Sequence, residues 1–178
     1  MNEERGLQAY LTNKKLAMLA AAERLGSGEA ARETIAAECS AGDLTGVRRV
    51  RIRDFQLISD SGPAFGGFSL GPSSPELLLG VLASCLTHTY LIGAASLGIP
   101  LDNVEVRFEA ENNDAAFLGL ETADPPYPAG IRGTVRLASP AAPAALSALH
   151  EYAAASCPLT RLVREPIPVI ISVLDAQA

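Results

Sequence analysis

Residues Glu76 to Leu97, ELLLGVLASCLTHTYLIGAASL, are apolar almost all the way round a helical wheel. A helix with so little polar face has to bury most of its circumference, so the rest of the chain must be organised to cover it. Pro75 before the run and Gly98 after it match the residues preferred just inside the start and just past the end of a helix. A run of about 20 apolar residues is also long enough to span a bilayer. Against that, Ser84, Thr87, His88, Thr89 and Ser96 dilute it, no Lys or Arg flanks either end, and strand-like sequence resumes at once. The expectation is a central core helix with no membrane partner.

A chain of 178 residues has room for one domain around such a helix. Residues 3–25 carry Leu7, Leu11, Leu16, Met18, Leu19 and Leu25 at helical spacing, and Gly26-Ser27-Gly28 ends the pattern. This divides the chain into an N-terminal helical extension, residues 1–30, and a domain over 31–178. From Glu33 to Cys39, and again from Val47 to Ser59, β-branched residues return, with turn residues Ala41-Gly42-Asp43 between them, which predicts a hairpin. SDSGPAFGGFSLGPSSP, from Ser59 to Pro75, is too short for a domain linker and reads as a shaped loop. Beyond the central helix, Val104–Glu111 and Ile131–Leu137 alternate as strands around the loop ADPPYPAG. Ala141–Ala155 reads as a second helix, PLTRLVRE as a short one, and Ile167–Leu174 as a closing strand whose neighbours Pro166 and Pro168 favour a sheet edge. No internal repeat is present.

Charge and cysteine usage narrow the function. With 14 basic against 20 acidic residues the net charge is −6, and no Lys/Arg-rich tract supplies the phosphate contacts that nucleic acid requires. The opening MNEERGLQAY has neither a basic nor an apolar leader region, which makes the cytosol the natural assignment. Cys39, Cys85 and Cys157 are odd in number and spaced by 46 and 72 residues, which suits neither a disulfide framework nor a zinc site. A catalytic or an inert thiol remains.

The two later cysteines have contrasting settings. Cys85 lies about ten residues into the helix, beyond the first turn where the macrodipole acts, so burial alone raises its pKa; it is a small core hydrophobe unless a cation or donors come from elsewhere. Arg suits that role because it stays charged when desolvated. Cys157 precedes Pro158, which places it before a short helix where free backbone N–H groups stabilise a thiolate; local structure alone nominates Cys157 as the more acidic thiol, against a plain reading of a cysteine tucked between helices. His88, three residues after Cys85, reads as a base for the thiol or as a hydrogen-bonded core histidine. Glu76 at the helix start helps the dipole in any case. At about 100° per residue it lies on the opposite side of a regular helix from Cys85, so it either belongs to an irregular first turn or works at a site shared with another chain.

GPSSPELLL from Gly71 to Leu79, leading to Ala83-Ser84-Cys85, resembles the OsmC/Ohr family of osmotically inducible and organic-hydroperoxide-resistance proteins. So do Cys157-Pro158-Leu159, Ile52-Arg53-Asp54-Phe55, Gly66-Gly67, Leu97-Gly98-Ile99 and Phe117-Leu118-Gly119, in the correct order over residues 33–174. The resemblance implies an intertwined α+β homodimer, its central helices packed at the middle and its active sites at the subunit interface. It implies a cofactor-free thiol peroxidase that reduces organic hydroperoxides. Cys85 becomes a sulfenic acid, Cys157 captures it as a disulfide, and an external dithiol reduces that disulfide, which fits the reversible part of the cysteine oxidation ladder. Glu76 matches the family's glutamate, which pairs with an arginine that holds the cysteine as thiolate. The catalytic members carry that arginine in the turn between the first two strands, where this chain reads CSAGD at residues 39–43. Arg53, within a matched motif, or Arg48 would take its place. Cys39 matches no family role and reads as structural. The missing turn arginine leaves a second reading open: a non-catalytic dimer that binds a small apolar ligand or senses redox state.

Overall fold

A computed structural model describes residues 6–42, 44–165 and 167–173. Helix α1, Leu7–Gly26, is followed by three strands, β1 (Glu38–Ala41), β2 (Arg48–Ile52) and β3 (Phe55–Ser59). A loop with one 3-10 turn at Pro63–Phe65 leads into α2, Ser74–Leu97. Then come β4 (Asn103–Glu111), the short α3 (Asp114–Phe117), β5 (Ala129–Ala138), α4 (Pro143–Ser156) and α5 (Pro158–Arg164). The strands form two antiparallel sheets, β1-β2-β3 and β4-β5. The fold is α+β.

Helix α2 begins where its sequence says it should. Ser73 is the N-cap, its hydroxyl accepting from the Glu76 amide at 3.4 Å, while Glu76 Oε2 accepts from the Ser73 amide and hydroxyl, each at 2.7 Å. This reciprocal pair satisfies donors that a helix start otherwise leaves orphaned. Gly98, at φ 68°, ends the helix in the left-handed conformation that glycine adopts without penalty. Among the described residues α2 is the one helix long and apolar enough to cross a membrane, but it packs against α1, α4, α5 and β4. Its buried residues Tyr90, Ala94 and Ala95 join Leu11 of α1, Leu149 and Ala153 of α4, and Leu101 in one core. Gly93 lets α4 come close: a Cβ there would stand 2.6 Å from the Tyr152 ring and 2.8 Å from a Leu149 methyl.

Two expectations need correction. The stretch Val47–Ser59 is not one strand but two: it folds back at Arg53-Asp54 so that Ile52 pairs with Phe55. Arg53 takes φ 54° there, a left-handed turn made without glycine, so nothing in the composition announced it. The closing strand over Ile167–Leu174 is also absent: residues 167–173 form no helix or strand, with Ile170 90% exposed, while Pro166 and Leu174 lie outside the described residues. Their β-branched composition gives strand propensity, and propensity forms a strand only where a neighbour offers an edge.

The loop before α2 is held from within. Asp60, 1% exposed, accepts the amides of Ser61, Phe68 and Leu70 at 2.7, 2.9 and 3.1 Å. A Cβ at Gly67 would meet the Ser61 carbonyl oxygen at 2.0 Å and one at Gly71 the Ile58 oxygen at 2.3 Å, so both glycines are required by backbone approach.

Candidate active site

Cys157 is placed by the proline that follows it. Pro158 has no N–H and disfavours helical geometry in the residue before it. Cys157 therefore takes extended angles, φ −68° and ψ 112°, and serves at once as the C-cap of α4 and the N-cap of α5. The break between the two helices directs its side chain at α2, where Cys85 waits. Their sulfurs lie 3.7 Å apart across 72 residues of sequence. Both thiols are free. Cys157 is wholly buried at 0% exposure, whereas Cys85 is only partly covered.

The surroundings of the two sulfurs differ. Burial pushes the Cys85 thiol up, the Leu159 amide pulls it back, and the neighbouring Cys157 adds to the rise. Burial also raises Cys157, yet Thr160, Cys85 and Thr89 together outweigh it and bring this thiol below its ordinary range; the hydroxyls of Thr160 and Thr89 themselves donate to the Cys157 and Cys85 carbonyl oxygens, at 3.1 and 2.9 Å. Donors to a thiolate favour the charged form, which is the physical cause of the downward direction. Thr89 and Thr160 escaped the sequence reading. Their signal was the spacing: Thr89 stands four residues after Cys85 and Thr160 three after Cys157, each on its cysteine's own helical face.

The other named residues lie apart from the sulfurs. Glu76 is exposed and engaged in the α2 cap, nine residues and about 13 Å of helix rise before Cys85. Arg53 is exposed at the β2–β3 turn, its guanidinium 5.3 Å from the centre of the Phe55 ring. Arg48 donates to the hydroxyls of Ser59 and Ser61 at 3.2 and 3.5 Å and so braces the loop. His88 is exposed and its Nε2 meets Lys14 Nζ of α1 at 3.0 Å. Cys39 is exposed on β1. None of the groups that set the Cys85 thiol is cationic. A cavity of about 270 Å³ opens between α2, α4, α5 and the β4–β5 sheet, lined by Leu82, Leu86, Tyr90, Phe108, Thr160 and Arg164 among others; neither cysteine is in its wall. Leu82 and Leu86 flank Cys85 on α2, and the Tyr90 hydroxyl is hydrogen-bonded to His150 Nδ1.

Fold and site define a class: α+β proteins that hold two cysteines sulfur to sulfur against a central apolar helix. The family model described as OsmC-like protein matches residues 66–172, and the chain belongs to this family. The OsmC-like protein of Mycoplasma pneumoniae superposes with a TM-score of 0.64 at 14% identity, over 75% of this chain and 89% of that one. An organic hydroperoxide resistance protein OsmC from Legionella pneumophila gives 0.53 at 19% identity, over 76% and 93%. An OsmC-like protein of unknown function from Vibrio cholerae gives 0.56 at 10%, over 73% and 93%. No curated protein matches the chain in sequence.

Proposed function

We propose that the chain is a thiol-dependent peroxidase that reduces organic hydroperoxides to alcohols. The observation that carries this reading is the approach of Cys85 and Cys157 to 3.7 Å, close enough for a disulfide to form with little movement of either side chain. Cys85, the more accessible sulfur, attacks the terminal peroxide oxygen; the O–O bond breaks, leaving a sulfenic acid and the alcohol. Cys157 then displaces hydroxide from that sulfenic acid and closes the disulfide. An external dithiol restores both thiols, and no cofactor takes part. The cavity walled by Leu82 and Leu86, which flank Cys85 on α2, and by Phe108 favours an organic hydroperoxide over hydrogen peroxide. In this reading the protein is a cytoplasmic homodimer, and Glu76, with Arg53 delivered to the site in that assembly, assists Cys85.

The test is consumption of cumene hydroperoxide by the pure protein with a dithiol. Consumption lost in Cys85→Ser is expected; consumption undiminished in that variant defeats the mechanism. One observation favours a second reading, a dimer that binds a small apolar ligand in the cavity: among the described residues, no cationic group is among those that shift Cys85. Titration separates the two, since thiols that both ionise at or above the free value of about 8.5 would favour ligand binding.

A further inference from the structure

We infer, on the reading that the chain reduces organic hydroperoxides, that Arg164 and His150 fix the polar end of the substrate, and that the hydroperoxide taken is a compact one bearing a carboxylate remote from its peroxide. The inference starts from the cavity wall. Leu82, Leu86, Phe108 and Val135 give it an apolar body, and no carboxylate lines it, although the chain carries a net charge of −6. The permanent charge in the wall is the Arg164 guanidinium. Arg164 ends α5, and among the described residues no acidic group pairs with it; Glu165, next in sequence, is engaged by Arg161 instead. His150 adds a donor that Tyr90 sets in place. Tyr90 is 1% exposed, and among the described residues its hydroxyl has one partner, Nδ1 of His150. Burial pushes the phenol pKa up, so the group keeps its proton, and that proton has no other acceptor to go to. Nδ1 therefore accepts, and the imidazole carries its hydrogen on Nε2, which has no partner among the described residues.

Placement along the helices separates this polar end from the sulfurs. Helices α4 and α5 meet at Cys157; His150 lies seven residues before it and Arg164 seven after, each about 10 Å of helix rise away. By contrast, Leu82, Leu86 and Thr160 of the same wall each stand within three residues of a cysteine. A ligand whose peroxide reaches Cys85 past these three presents its other end to Arg164 and His150. An anion is what such a pair selects. A guanidinium and an imidazole N–H both donate, and with no carboxylate in the wall to compete, their bonds to a ligand carboxylate are charge-assisted. At about 270 Å³ the space lies just under the usual range for ligand pockets, about 300–1,000 Å³, so the body between the two ends is on the scale of a single ring rather than a long chain.

The experiment compares cumene hydroperoxide bearing a para carboxylate with the methyl ester of the same compound, each consumed by the full chain with a dithiol. The acid is expected to be used with a kcat/KM about 10-fold or more above that of the ester, the size of one charge-assisted hydrogen bond, with the difference lying in KM. Arg164→Gln is expected to bring the acid-to-ester ratio close to one, Arg164→Lys to keep part of it, and His150→Leu to lower it severalfold. A parent ratio near one, or a ratio that Arg164→Gln or His150→Leu leaves in place, overturns the assignment. Binding of para-isopropylbenzoate, which has the carboxylate but no peroxide, is read separately by NMR at the His150 imidazole. A saturable shift in the parent that is lost in Arg164→Gln is expected; no shift in the parent overturns the site. Should the parent consume neither hydroperoxide, the peroxidase reading fails by itself, and the para-isopropylbenzoate titration still decides whether the cavity takes a carboxylate.

Discussion

Asp60 lies buried among backbone amides, and its ionisation is tied to the loop it organises. The Leu70 amide lowers its pKa most; burial opposes, and the Ser61 and Phe68 amides and the Arg48 charge lower it further. The folded value thus lies below the ordinary 3.8. A depressed folded pKa gives stability that is fully present above the unfolded value and is lost as the pH falls through the folded one. Urea unfolding across the acid range is expected to show this loss. Asp60→Asn is expected to shrink the acid-side loss and to lower stability at neutral pH, because an amide NH₂ would face N–H donors it cannot accept from. Faster hydrogen exchange at Phe68 and Leu70, measured by NMR, identifies the loop as the part released.

Helix α2 depends on its first turn and on its seam with α4. Ser73→Ala removes the acceptor for the Glu76 amide and a donor to the Glu76 carboxylate, and is expected to cost about 1 kcal/mol in urea unfolding. Leu149→Ala, in a position 0% exposed against Gly93, is expected to cost about 2–5 kcal/mol with no change in helix content by circular dichroism. Legibility varied along these elements for physical reasons. The central helix could be read because Pro75, Gly98 and a continuous apolar run are local signals, and the start moved only to Ser74. The β2–β3 turn could not, since an arginine at positive φ carries no compositional mark. The break before α5 was written in Pro158, and with it the position of Cys157. That Cys157 meets Cys85 is a matter of how α4 and α5 pack on α2, which spacing along the chain does not encode; only the resemblance paired them in advance. Thr89 and Thr160 were missed because threonine at helical spacing has no meaning until a sulfur faces it.

The whole chain presents far more surface than one domain of its size should. Its accessible area is 13413 Å², against roughly 8,200 Å² for a compact monomer of 18.5 kDa. The excess has an address. The β1-β2-β3 sheet is nearly bare, β1 exposed at every residue and Phe55 and Leu57 of β3 at 64% and 43%. Phe117, Leu118 and Leu120 are each more than 60% exposed, and the segment from Ile167 to Val173 has its apolar side chains in the open. Exposed apolar patches of this kind mark an interface, and the open sheet edges and the exposed β-branched segment 167–173 are surfaces that a second copy would cover. An excess of about 5,000 Å² per chain is ample for an obligate homodimer, whose interface buries about 2,000–5,000 Å² in all. Light scattering after gel filtration is expected to give twice 18.5 kDa at micromolar concentration, and a chain truncated after Glu165 is expected to dissociate on dilution that leaves the full chain paired. The 178-residue chain running as a monomer at that concentration would remove the shared interface from the proposed mechanism, and with it the part proposed for Arg53, which is exposed at its turn and not among the groups that shift Cys85 within one chain.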